Sequence, residues 1–190
     1  MTSMKPLAVP PNETVEGLQC HRILGREDVP RVCDMSSDFL SAPGDYARFA
    51  MIYAHAQKNI GPAGVTVVVL RDELLNGAPR TLPGFLDYRA QIDAHSILNT
   101  PPVFAIYVVL LVTRWLRDEI GGLAAMDTIN TRKADLLYRA LDGSDDFYRG
   151  WAARGDRSKM NVTFNLRTRE LETRFIAAAL DAGFSGLGGH

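Results

Sequence analysis

The chain has 190 residues, 46% of them hydrophobic, and a formal net charge of -1, which sizes it for one globular domain or slightly more with a core of its own. Without a dense Lys/Arg block there is no electrostatic reason to expect nucleic acid or an anionic membrane as partner. Cys20 and Cys33 have neither CxxC spacing nor a histidine cluster beside them, which favours reduced thiols in a cytoplasmic protein over a zinc site or a disulfide.

Met1 to Pro11 carries one lysine but no apolar run of signal-peptide length, and is expected to be a loose, divergent leader. Val29 to Asp34 reads as a short strand ending on a carboxylate, followed by Ser36-Ser37-Asp38, which is turn or helix-cap chemistry. Phe49 to Ala54 is a continuous apolar run of strand length, as found in sheets covered on both faces. Val65 to Leu70 is a β-branched strand, joined to it through Gly61-Pro-Ala-Gly64. So short a connection returns the chain antiparallel, because a parallel crossover needs about a dozen residues or more. A mixed sheet follows.

Asn76 to Gln91 is expected to be loop, punctuated by Gly77, Pro79, Pro83 and Gly84. Thr100 is the expected N-cap of a helix running on through Leu116, with Pro101 and Pro102 in its first turn. Its apolar run, Val103 to Val112, falls short of the roughly twenty residues that span a bilayer and reads as a core helix. After Gly121-Gly122, Leu123 to Leu141 reads as a second helix and Asp142 to Asp146 as a turn. Met160 to Leu166 alternates like a half-buried strand, and Thr168 to Ala182 resembles a helix stopped by Gly183.

The chemistry concentrates around Lys58. It follows an apolar strand and precedes a glycine-proline turn, the edge of the crevice where open α/β sheets bind ligands. Desolvation there favours the neutral amine that condenses with an aldehyde. A lysine so placed, with the carboxylate of Asp34 ending the neighbouring strand, suits pyridoxal 5'-phosphate held as a Schiff base with its ring protonated. From local sequence alone, Asp34 serves equally as a helix cap. Gln57 is either polar filler or an amide donor to the cofactor ring. Asn12-Glu-Thr14 is formally a glycosylation sequon, or else places a hydroxyl at a strand end. Asn99-Thr100 is a helix cap or a phosphate holder. His21, His55 and His95 lack metal-ligand spacing, and no Walker loop, GxSxG or HExxH occurs.

Several segments in one order resemble the phosphoserine aminotransferases, fold-type-I pyridoxal-phosphate enzymes of the class V aminotransferase group. They are Asn12-Glu-Thr-Val-Glu-Gly17, Asp34-Met-Ser-Ser37, Ala56-Gln-Lys-Asn-Ile-Gly-Pro-Ala-Gly64, Asn99-Thr-Pro-Pro102, Gly121-Gly-Leu-Ala-Ala-Met126, Phe147-Tyr-Arg-Gly150, Arg157-Ser-Lys-Met-Asn-Val-Thr-Phe164 and Gly186-Leu-Gly-Gly-His190. The resemblance implies an α/β fold, part of a fold-type-I mixed sheet with flanking helices, plus a small α+β C-terminal domain that is truncated. Residues 12–118 would belong to the cofactor-binding large domain and 119–190 to the small one, after a leader at 1–11. It further implies Lys58 as the Schiff-base lysine, Asp34 on the pyridine nitrogen, and Thr14 and Gln57 on the ring side. Asn99 and Thr100 would reach the cofactor phosphate of the opposite subunit in a homodimer, and His190 the substrate phosphate. Glutamate and 3-phosphohydroxypyruvate would be the substrates, in serine biosynthesis and in a parallel step of pyridoxine biosynthesis.

The chain also departs from that pattern. It corresponds to about the second half of the family's length, without counterparts of the stacking tryptophan, the glycine-rich phosphate cup and an N-terminal substrate arginine. The arginine that follows the histidine in the family is absent after His190, and His55 stands where the family has a small residue. A catalytically silent fragment, or another class V enzyme acting on serine and glyoxylate or on cysteine sulfur, are the competing expectations.

Overall fold

The computed structural model of the chain describes residues 7–9, 12–20, 26, 28–77 and 82–188. Its main sheet is built from β1 (Leu7–Val9), β4 (Arg31–Asp34), β5 (Met51–His55) and β6 (Thr66–Leu70), in that spatial order. Strands β1, β4 and β5 run parallel, and β6 returns antiparallel on β5. The mixed sheet expected from the short connection is therefore present. Between β1 and β4 the chain forms a small antiparallel pair, β2 (Asn12–Glu13) and β3 (Leu18–Gln19). Leu7–Val9 lies inside the stretch expected to be a loose leader, yet it forms an edge strand in register with Arg31 to Cys33. Short apolar residues suit that place, where the edge of β4 offers unpaired N–H and C=O groups.

Register puts Asp34 beside Tyr53 at the C-terminal end of parallel strands β4 and β5. The core under this end is Cys33, Met35 and Ile52, with Phe39, Tyr46 and Phe49 packed against it. A short helix, α1 (Ala56–Asn59), follows β5 directly and carries Lys58. Two glycines in the turn after it let a long helix come close. A Cβ at Gly61 would stand 2.8 Å from Val109 Cγ2, and Gly64, at φ +113°, faces Pro102 and Ala105.

The stretch expected to be loop is more structured. It contains the end of α2 (Asp72–Asn76), a 3-10 turn at Gly84–Leu86 and α3 (Tyr88–Asp93). Asp87 starts α3 by accepting the Arg89 N–H, a cap that the nearby proline and glycine obscured in the sequence. The long helix α4 spans Val103–Asp118, with Pro102 as N-cap. Thr100 stands three positions before its first residue, because each proline keeps the residue before it, Thr100 and Pro101, out of the helical region. Pro102, at ψ 76°, turns the chain so that the Val103 N–H donates to the Pro101 carbonyl.

The core-helix expectation for α4 needs correction. Within Val103 to Val112 only Ala105 is buried, whereas Phe104 is 75% exposed and Tyr107 54%. The helix is apolar on more sides than this chain's sheet covers. Helix α5 (Leu123–Asp142) matches its expected span, and α6 (Arg169–Asp181) is capped by the Thr168 hydroxyl accepting from the Leu171 N–H. Gly183 follows it at φ +89°, the left-handed conformation that ends helices.

The strand expected over Met160 to Leu166 shrinks to β8 (Asn165–Leu166), paired with β7 (Tyr148–Arg149). Upstream, the Ser158 hydroxyl accepts the N–H groups of Met160 and Asn161, a local bond that competes with strand pairing. Tyr148, Phe164 and Phe175 meet edge to face beneath α6. The described residues contain no helix long and apolar enough to cross a membrane.

Candidate functional site

Lys58 Nζ donates to Thr14 Oγ1 at 3.5 Å. The two residues come from α1 and from the turn after β2, so the fold joins a strand-end lysine to a hydroxyl 44 positions upstream. Lys58 is exposed, contrary to the desolvation expected from the sequence. Gln57 is exposed beside it.

Asp34 has its own frame. Its Oδ1 accepts the Ser36 hydroxyl at 2.5 Å and the Ser36 N–H at 2.9 Å. Burial pushes the Asp34 carboxyl up, but the Ser36 and Tyr53 hydrogen bonds and the charge of His55 outweigh it, and the group is held below the ordinary carboxylate range. The local turn reading and the site reading therefore coexist: Asp34 closes a turn through Ser36, not a helix, and still presents an ionised acid at the strand end. His55 begins α1, donates its N–H to Ser36 Oγ at 3.0 Å, and places its ring Nδ1 2.8 Å from Thr66 Oγ1.

Around this pair lies a buried polar hub that the sequence reading missed. Asn12, only 5% exposed, donates through Nδ2 to Ser37 Oγ and Asn161 Oδ1, both at 2.7 Å. Its Oδ1 accepts the Ser158 hydroxyl at 2.5 Å, and its carbonyl accepts the Ser37 hydroxyl at 3.3 Å. Ser158 is fully buried, and its carbonyl takes the Tyr138 hydroxyl from α5. The hub thus pins the Thr14 turn, the Ser36-Ser37 turn and the 158–161 segment together. In the sequence these residues stand among polar and charged neighbours, such as Glu13, Asp38, Arg157 and Lys159, so nothing local marks them as buried.

Thr14 also lines a cleft of about 550 Å³ bounded by Glu16, Trp151, Asn165, Phe175 and Gly188. Among the described residues, no hydrogen bond joins Asn99 or Thr100 to Thr14, Asp34, Gln57 or Lys58; both are exposed on the approach to α4. His190 and His21 lie outside the described residues. No group of metal-ligating side chains occurs among the described residues.

The mixed sheet thus carries an amine–hydroxyl pair just past the end of β5 and an ionised acid at the end of β4, and comparison with known proteins gives the class of protein to which they belong. The profile of the aminotransferase class-V family matches residues 14–185. The phosphoserine aminotransferase of Geobacillus kaustophilus is 51% identical over 179 residues, 94% of this chain and 49% of the relative. The solved phosphoserine aminotransferase of Bacillus circulans subsp. alkalophilus superposes with a TM-score of 0.92 at 45% identity, over 97% of this chain and 51% of that one. The PLP-bound enzyme of that name from Trichomonas vaginalis gives 0.89 at 33% identity, over 97% and 52%. The chain belongs to the class-V aminotransferase family. It spans about half the length of the curated relatives it matches.

Proposed function

We propose that this chain carries the lysine, acid and hydroxyl of a phosphoserine transaminase, which moves an amino group from glutamate to 3-phosphohydroxypyruvate and yields 2-oxoglutarate and O-phosphoserine. The observation that carries the reading is Lys58 Nζ on Thr14 Oγ1 just past the end of β5, with an ionised Asp34 ending the neighbouring strand β4. The names of the relatives support the substrate pair. An amine for an aldehyde, a hydroxyl near it and a carboxylate for a basic ring nitrogen are the donor set that pyridoxal 5'-phosphate requires.

When bound, that cofactor supplies an aldehyde and a ring that withdraws electrons from the substrate's α-carbon. Lys58 Nζ holds it and carries the proton away from the α-carbon as general base. The Asp34 carboxylate keeps the ring nitrogen protonated, while Thr14 and Gln57 orient the ring. Asn99 and Thr100 serve the cofactor phosphate of the opposite subunit in a homodimer, and His190 takes the substrate phosphate. In this reading residues 12–118 form part of the large domain and 119–190 part of the small one, and the protein works in the cytoplasm.

The test is absorbance. Chain incubated with pyridoxal phosphate should gain a visible band that is missing in Lys58→Ala, and turnover should favour phosphorylated over unphosphorylated keto acids, which separates this activity from other class V enzymes. A Lys58-independent spectrum, with or without the complementary half of a relative, would end the proposal. A second reading, that the chain is silent until that half is added, is favoured by the open apolar face of α4, where Val103 and Phe104 are 69% and 75% exposed; a band that needs the added half would establish it.

A further inference from the structure

Ser36 is 3% exposed and makes three bonds at once. Its hydroxyl oxygen receives the His55 N–H at 3.0 Å, so the hydroxyl proton is directed to the remaining acceptor, Asp34 Oδ1, at 2.5 Å. Its own N–H reaches the same oxygen at 2.9 Å. His55 is the residue from which α1 starts, three positions before Lys58. One hydroxyl therefore ties the acid on β4 to the backbone that launches the lysine from β5. Its neighbour Ser37 is anchored on Asn12, which prevents the turn from swinging away.

We propose that Ser36 is a positioning residue that fixes the Asp34 carboxylate, in orientation and in ionisation, relative to the backbone carrying Lys58. The inference rests on the reading of Asp34 as the ring-nitrogen partner. It goes further by assigning the control of that carboxylate to Ser36, a residue that the reading gives no role. With Oδ1 committed to two donors of Ser36, the carboxylate cannot rotate freely about its Cβ–Cγ bond, which keeps its remaining acceptor capacity aimed in one direction. Ser36, through both donors, is among the groups that hold the Asp34 carboxyl below the ordinary carboxylate range, which agrees with the geometry.

The experiment is a 13C carboxyl titration of Asp34 in the full chain without cofactor, its resonance assigned with Asp34→Asn, followed by pyridoxal phosphate binding to the same proteins. Ser36→Ala should raise the Asp34 midpoint and weaken cofactor binding by about tenfold, the weight of one hydrogen bond to a charged group. Ser36→Thr, which keeps the hydroxyl, should restore both. Ser36→Cys preserves the side-chain volume with a weak donor, and gives the comparison if the alanine variant fails to fold; it should behave like alanine. A midpoint and an affinity unchanged in folded Ser36→Ala or Ser36→Cys would overturn the proposal. A raised midpoint in a chain that binds no cofactor in any form would support the tie to Asp34 while sinking the transaminase reading.

Discussion

The sheet end that holds Lys58 and the outer face of α4 divide polarity in opposite ways. At the sheet end Asn12, Ser36 and Ser158 are buried and every one is hydrogen-bonded. On α4, Phe104, Tyr107 and Leu111 stand in solvent. A buried polar group is retained only if its bonds are complete, whereas an exposed apolar helix face gains nothing until something covers it. Those three polar groups are satisfied within the chain, whereas the described residues leave this face of α4 uncovered.

Breaking the hub should have the largest effect. Asn12→Leu strands buried partners on Ser37, Ser158 and Asn161 and should cost about 3–5 kcal/mol in urea unfolding, since each orphaned group costs roughly 1–3 kcal/mol; a loss below about 1 kcal/mol would show that the hub is dispensable. Gly17→Ala comes next. At φ +68°, its Cβ would lie 2.6 Å from Thr163 Oγ1 and 2.7 Å from the Asn161 carbonyl, for an expected cost of about 2–4 kcal/mol by the same measurement.

Asp38 sharpens the contrast because it is the imperfect member of the sheet end. Its Oδ1 is buried with no partner, and Gln19 reaches Oδ2 only at 3.5 Å. Burial pushes its carboxyl up to about 6. A raised acid favours folding while protonated, so this contribution is present below the ordinary carboxylate range and is lost as pH rises through about 6. Asp38→Asn should therefore match the wild type near pH 4 and exceed it by about 2 kcal/mol near pH 7; a constant difference across that range would refute the assignment. The smallest effect belongs to α4. Phe104→Ser with Leu111→Ser should change unfolding free energy of the single chain by no more than about 0.5 kcal/mol per site, while reducing self-association in light scattering. A loss of several kcal/mol would mean that these side chains are core after all.

Legibility followed the same division. Strand ends, the antiparallel return through Gly61 to Gly64 and the place of Lys58 just past β5 depend on neighbours in sequence, and they could be read there. The bond between Asn12 and Ser158 joins residues 146 positions apart, and nothing local announces it. Helix α4 shows its period but not its cover, because hydropathy measures what a side chain avoids and not what it meets. Met160 to Leu166 alternates, yet Ser158 had already claimed the backbone donors at its start. Thr100 looked like a cap until the conformations of Pro101 and Pro102 moved the helix start to Val103.

Cys33 offers one more consequence. It is wholly enclosed, and burial together with the charges of Asp38 and Asp34 pushes its thiol up to about 12, so almost no reactive thiolate exists while the sheet stands. Alkylating reagents can consume Cys33 only when β4 parts from its neighbours. The chain thus carries a native chemical stopwatch for the opening of its own main sheet, readable by mass spectrometry without any engineered label.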